Sequence, residues 1–332
     1  MKKTKVVCIG EALIDRIKNK LNLGSTDFVG GAPANVASAL RKLKIDSVFI
    51  GSLGSDDFGK KIIEQFNELE VNLDFLQSNN DSSTRVVNVD RDQSGDRFFS
   101  GFEPSLHSCF ADEALSMKLI EKELLNLEKC FLRTKYLVTG TNVLSSSISA
   151  ETIFFLLEQA KKSEVKVVID LNWREVFWDY SNFASDTSKK GRINLIKNFL
   201  NHAHVIKLAK EEATLFFEIE NPSLISQQMS KRPDVIITDG KNPVSWHING
   251  FQGNTKIPKS QKIVDTTGAG DAFLAGLISQ FISFGYPKSE LEIQACVRFA
   301  SACGLLTCHG EGAIEPQPDY EKVSKFLGSL IS

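Results

Sequence analysis

Short apolar runs alternate with longer amphipathic ones along the chain. Val6-Val7-Cys8-Ile9, Val48-Phe49-Ile50, Tyr136-Leu137-Val138, residues 165–169, Val205-Ile206 and Val235-Ile236-Ile237 are rich in β-branched side chains. Runs this short and this uniformly apolar predict strands buried on both faces. Between them, residues 35–43, 58–69, 113–127, 150–161 and 193–200 carry apolar side chains at helical spacing. The alternation predicts an α/β fold with a mainly parallel sheet and helices on both of its faces.

Two regions break this rhythm. Residues 84–90 alternate in side-chain character, Asp92-Gln93-Ser94-Gly95 has turn chemistry, and residues 96–102 read as a returning strand. Together they predict a β-hairpin. A second extended piece covers residues 12–17, with residues 26–29 as its partner. Hairpins between the first α/β units predict a small sheet standing off the main one, as a lid or a dimer surface.

Composition narrows the class. The chain has 332 residues, 42% hydrophobic and 24% charged, with 39 Lys and Arg against 41 Asp and Glu. These values fit a folded globular chain and exclude a collagen-like or mainly disordered one. A formal charge of −2 gives no electrostatic footprint for nucleic acid or an anionic membrane. Cys8, Cys109, Cys130, Cys296, Cys303 and Cys308 form no Cys-x-x-Cys pair and predict reduced thiols, not a disulfide or zinc framework. No uncharged apolar stretch reaches the roughly 18 residues of a membrane span. Glu11 and Asp15 cut the first apolar run short of a secretory signal, so a cytoplasmic location is expected.

The chemistry concentrates in Asp265-Thr266-Thr267-Gly268-Ala269-Gly270-Asp271-Ala272-Phe273, between a strand-like run at residues 262–264 and an apolar helix. Unpaired amides at that helix start, with about half a positive charge from the macrodipole, make a phosphate cradle. Asp271 at its edge is either a general base for an attacking hydroxyl or an ordinary first-turn acid. Gly30-Gly31-Ala32-Pro33-Ala34-Asn35 opens another helix, where Asn35 is either a polyol contact or a cap. Gly54 to Lys60 fits the glycine-lysine spacing of a P-loop. However, Lys61 replaces the hydroxyl residue, and Asp56 and Asp57 would repel phosphate. Arg174, between Trp173 and Trp178 after the strand ending at Asp170, is either an anion contact or a stacked structural arginine.

Taken together, these segments resemble the ribokinase-like, or phosphofructokinase B, family of carbohydrate kinases over nearly the whole chain. Residues 265–273 resemble its carboxyl-terminal signature, and residues 30–37 continuing into 50–59 its amino-terminal one. Glu11-Ala12-Leu13-Ile14-Asp15 and Asp170-Leu171-Asn172-Trp173-Arg174 are most similar to the fructokinase branch. The resemblance implies a single three-layer α/β/α domain over 1–332, with a β-sheet lid from segments near 11–33 and 83–105. It implies ATP-dependent phosphorylation of a sugar's primary hydroxyl, fructose to fructose 6-phosphate first among them. Asp271 would be the base and Gly268, Ala269 and Gly270 the anion hole. Asp15, Gly31, Asn35, Arg85, Phe99 and Arg174 would hold the sugar. Asn172, Lys207, Thr238, Gly240, Thr266, Gly268, Gly270 and Gly312 would line the nucleotide site. The family implies Mg2+, associated through water with Glu212, and in some members K+ near Asp265. It also implies a homodimer paired through the lid.

Three departures bear on that resemblance. Ala209 stands where many members have Asn in a magnesium-associated motif, and Pro243 replaces an expected glycine. The lid strand Arg97-Phe98-Phe99-Ser100-Gly101-Phe102 lacks the Tyr and Arg common in ketodeoxygluconate kinases, which favours a neutral sugar. Other sugar kinases of the family, including ketodeoxygluconate kinase and ribokinase, are the alternatives, with a kinase-like interaction protein as the non-enzyme one.

Overall fold

The computed structural model describes residues 5–18, 24–91, 97–103, 105, 109–179, 188–259 and 262–330. The chain opens with β1 (Lys5–Ile9), β2 (Leu13–Lys18), β3 (Ser25–Gly30), α1 (Ala32–Lys42), β4 (Ser47–Ile50), β5 (Ser52–Gly54) and α2 (Asp57–Glu68). Next come β6 (Gln77–Asn79), β7 (Val86–Arg91), β8 (Arg97–Phe102), α3 (Met117–Lys122), α4 (Leu124–Arg133), β9 (Thr134–Thr139), α5 (Ser147–Lys162) and β10 (Lys166–Asp170). Then follow α6 (Glu175–Asp179), α7 (Lys189–Leu200), β11 (Val205–Ala209), α8 (Lys210–Phe217), α9 (Pro222–Gln228) and β12 (Asp234–Thr238). The chain finishes with β13 (Val244–Ile248), β14 (Phe251–Thr255), α10 (Ala269–Ser283), α11 (Glu290–Thr307) and α12 (Tyr320–Ser329).

The main sheet has eight strands in the order β14-β13-β12-β11-β10-β9-β1-β4. From β12 to β4 every pairing is parallel, and β13 and β14 add an antiparallel edge. Period-two alternation divides each central strand between two cores. In β1, Val6 and Cys8 face the core shared with α1, α10 and α11, whereas Val7 and Ile9 face the one under α4, α5, α7 and α8. Both faces are covered, as the continuous apolar runs predicted.

The small sheet is also present, in the order β3-β2-β7-β8. Its hairpins β2–β3 and β7–β8 are antiparallel and join through a parallel β2–β7 pairing. The turn expected at residues 92–95 lies outside the described residues.

Local chemistry explains the other outcomes. The expected P-loop mimic is a strand-to-helix turn filled by its own anion: Asp56 caps α2 by accepting from the Gly59 amide at 2.8 Å. Its second oxygen accepts from the Thr84 amide at 2.7 Å, at the root of β7. Residues 113–127 are not one helix, because Gln77 bonds both backbone groups of Ser116, at 2.9 and 2.8 Å, and holds the chain extended ahead of α3. Residues 262–264 are not a strand either. The Val264 amide bonds the Cys308 carbonyl at the end of α11 instead of a sheet neighbour. The helical patterns at residues 35–43, 58–69, 150–161 and 193–200 fall on α1, α2, α5 and α7.

Candidate active site

The carboxyl ends of β1, β9, β10 and β11 meet the amino ends of α1 and α10 beneath the small sheet. Between them lies a cavity of about 240 Å³. Open α/β sheets place ligands at this edge.

The loop ahead of α10 is fixed by its own first acid. Asp265 accepts from the Thr267 amide at 3.0 Å and its hydroxyl at 2.8 Å, and from the Gly312 amide at 2.9 Å. Gly268 then turns into the helix at φ +73°, the left-handed region that glycine takes without penalty. The backbone and side chain of Ala313 pack where a Gly268 side chain would stand. Thr266, Thr267, Gly268 and Gly270 thereby form one wall of the cavity. The Ala269 amide bonds the Thr266 carbonyl at 3.3 Å, and the Gly270 and Asp271 amides that follow have no intrahelical partner.

Asp271 stands in the first turn of α10 and lines the cavity. Its Oδ2 accepts from Asn35 Nδ2 at 2.8 Å. Burial, and then the Asp170 charge, push the Asp271 carboxyl up to about 6, against the opposing pull of Lys207, Asn35 and Arg174. The result is a carboxylate that is ionised at neutral pH yet a better base than an exposed aspartate.

Cations gather on the side of the α10 loop. Lys207 is buried in the middle of β11, pairs with Asp170 at 2.9 Å, and lines the cavity beside Gly270. Arg174 and Asn172 come from the segment after β10 and also line it. Trp173 packs on Trp178 and Phe216, so the tryptophans form a packed support and Arg174 reaches the cavity. Asp15 of β2 and Gly31 ahead of α1 also line the cavity, and Asp15 is buried. Val87 and Val89 of β7 and Leu13 of β2 supply its apolar part.

Several expected residues stand elsewhere. Arg85 is buried, bonds Asp112 and Glu113, and lies within 4.2–4.8 Å of the ring centroids of Phe102, Phe110 and Phe177. It is not among the cavity-lining residues, and it anchors the base of β7. Thr238 and Gly240, at the end of β12 and just beyond it, also lie outside the cavity wall. Gly312 acts on the loop from behind through Asp265. The Phe99 backbone pairs with Val89 in the small sheet, and its side chain lies outside the described residues. Glu212 is buried, and its oxygens accept from the Trp173 amide at 2.6 Å and the Ala209 amide at 2.7 Å. That second bond caps α8, where Ala209 brings no capping side chain.

Two buried polar residues of the cavity wall were missed from the sequence, as were its apolar members Leu13, Ala32, Val87, Val89 and Phe177. Glu11 follows β1 and Asn142 follows β9, and both are buried in the wall. Their place after adjacent apolar runs was the available signal, since parallel strands aim their following residues at one edge.

A family model described as pfkB family carbohydrate kinase matches residues 3–320. The chain belongs to that family. It is 29% identical to a probable chloroplastic fructokinase-6 of Arabidopsis thaliana, covering 97% of this chain and 82% of the relative. The structure of a fructokinase with bound ATP from Xylella fastidiosa superposes at a TM-score of 0.85 and 26% identity, covering 99% of this chain and 100% of that one. A Vibrio cholerae fructokinase with fructose, ADP and calcium gives 0.80 at 25% identity, over 98% and 99% of the chains. The fold is therefore the ribokinase-like one, and the protein is a carbohydrate kinase. Among the described residues, no helix is long and apolar enough to cross a membrane.

Proposed function

We propose that this carbohydrate kinase transfers the γ-phosphoryl group of ATP to a primary hydroxyl of fructose, with Asp271 as general base. The observation that carries this is the Asp271 carboxylate in the cavity at the amino end of α10, facing the Lys207 and Arg174 charges. The hydroxyl oxygen attacks the γ-phosphorus while Asp271 takes its proton. The bond from phosphorus to the bridging oxygen breaks, and its electron pair leaves with ADP. The amides at 268–271, with Lys207 and Arg174, hold the charge spread over the transferring oxygens. Asp15, Gly31 and Asn35 hold the sugar, and Asn172 and Thr266 face the nucleotide. The fructokinase relatives and their ligand-bound structures support the choice of fructose and ATP.

The family implies magnesium, and the acids beside Lys207 fit it. Asp170 keeps one buried oxygen without a hydrogen-bond partner, and its charge is felt by Glu212. Such a pair suits an ion that arrives on nucleotide phosphates and meets protein through water. When bound, the ion neutralises phosphate charge. For potassium, the pinned Asp265 carboxylate is the proposed neighbour, and assays in potassium against tetramethylammonium salts read it. The place of β3 and β8 as the two edge strands of the small sheet supports a homodimer, which sedimentation would test. Six free cysteines support a reducing, cytoplasmic setting.

Sugar-dependent ADP release with magnesium and ATP tests the reading. A panel of fructose, ribose, ketodeoxygluconate and adenosine, ranked by kcat/KM, should place fructose first. Asp271→Asn should lose about 10²- to 10⁴-fold in kcat while binding nucleotide as before. No sugar-dependent ADP release from the wild type would sink it.

A further inference from the structure

Glu11 and Asn142 sit side by side at the ends of neighbouring parallel strands, where Ile9 of β1 pairs with Thr139 of β9. The Asn142 Nδ2 donates to Glu11 Oε1 at 3.1 Å, which fixes both side chains in the wall. Glu11 Oε2 and Asn142 Oδ1 are buried and have no hydrogen-bond partner. The residues are only 4% and 6% exposed, so bulk water does not substitute for a partner.

Orphaned buried acceptors are rare because their desolvation goes uncompensated. Two of them on one cavity wall call for hydroxyl or N–H donors. Phosphate oxygens only accept, so these two do not match the nucleotide's phosphates. We infer that Glu11 and Asn142 form a subsite for a sugar hydroxyl other than the one Asp271 deprotonates. This inference rests on the sugar-kinase reading and adds a specificity-determining pair to it.

The surroundings agree. Burial raises the Glu11 carboxyl to about 7, and the Asp112 charge adds to it. The Asn142 amide and the backbone amides of Glu11 and Ala32 oppose the rise. A hydroxyl donated to Glu11 favours the ionised carboxylate and repays part of that burial. Leu13 and Val87 shield the cavity on the side of the small sheet, so the bond forms away from competing water.

The test is a cycle between residue and hydroxyl. Wild type, Glu11→Gln and Asn142→Ala are each assayed with fructose and with its monodeoxy analogues. At one deoxy position the wild type should lose at least tenfold in kcat/KM, and each variant less than threefold. With fructose itself, both variants should raise KM about tenfold and change kcat less than threefold. A purely structural role would lower kcat or stability and leave every deoxy penalty in place. Equal penalties in wild type and variants at every position overturn the subsite while leaving the kinase reading intact. A wild type that phosphorylates no sugar overturns that reading and the subsite with it. Should Glu11→Gln not fold, Asn142→Ala carries the same cycle.

Discussion

The Asn35 side-chain amide donates to the Asp271 carboxylate at 2.8 Å across 236 positions of sequence. The bond ties the start of α1 to the start of α10, so a sugar held by Asn35 lies beside the base. It also favours the ionised form of Asp271. Asn35→Ala should therefore raise the Asp271 pKa further and carry the acid limb of the pH–kcat/KM profile upward with it. It should also raise the sugar KM. A limb that stays in place would show that the bond does not tune the base.

Asp271 sits at about 6, above its unfolded value. Catalysis needs the ionised form, so kcat/KM should climb as pH rises through about 6 and level off above it. Stability runs the other way. The folded state binds this proton more tightly than the unfolded chain, whose aspartates titrate at about 3.9. The resulting stabilisation is complete below about 4 and is lost as pH rises through about 6. Asp271→Asn removes the buried charge, so its melting temperature should exceed that of the wild type at pH 8 by a few degrees. The gap should narrow toward pH 5. A gap independent of pH between 5 and 8 would mean that the charge does not bear on stability.

The division between what the sequence shows and what it hides follows the range of the forces. Parallel strands announce themselves because both faces are buried, and the α10 loop because glycines and acids cluster there. The β13–β14 hairpin was missed although Asn249-Gly250 carries the turn signal, with φ of 50° and 80°. β13 alternates fully as Val244-Ser245-Trp246-His247-Ile248, whereas its partner β14 lacks an apolar face and leaves the hairpin unannounced. Glu11 and Asn142 each follow an apolar run, but nothing in the sequence pairs that acid with an amide from another strand. Arg85 read as a sugar contact, but its partners Asp112 and Glu113 lie in a turn that only the fold brings under β7. Ion pairs formed across the chain leave no periodic trace.

Arg85 gives the clearest stability prediction. Its guanidinium is 1% exposed and pairs with two carboxylates. Replacing it strands the Asp112 charge, which is itself buried, and losing one partner of such a pair costs about 3–5 kcal/mol. Arg85→Met should lower the urea midpoint accordingly, whereas kcat/KM of the folded enzyme at low temperature should change less than about threefold. Adding Asp112→Asn should restore part of the stability. An unchanged midpoint with a large rise in sugar KM would instead return Arg85 to the substrate.

Gly268 and Gly270 should fail differently, although both belong to the proposed anion hole. At Gly268 a side chain meets the left-handed φ of +73° and, at 2.8 Å, the Cα, Cβ and carbonyl oxygen of Ala313. The backbone penalty alone is about 1–2 kcal/mol. Ala313→Gly would remove only one of the three contacts. Gly268→Ala should therefore shift the loop, cutting kcat at least tenfold and lowering stability together. At Gly270 the added carbon meets the Lys207 ammonium at 2.8 Å, the tip of a long side chain. Gly270→Ala should push that charge away from the phosphates, weakening ATP binding with little change in melting temperature. Titrating ATP against both variants, alongside thermal unfolding, separates the two. Matching losses of stability in both would show that Lys207 has no room to yield.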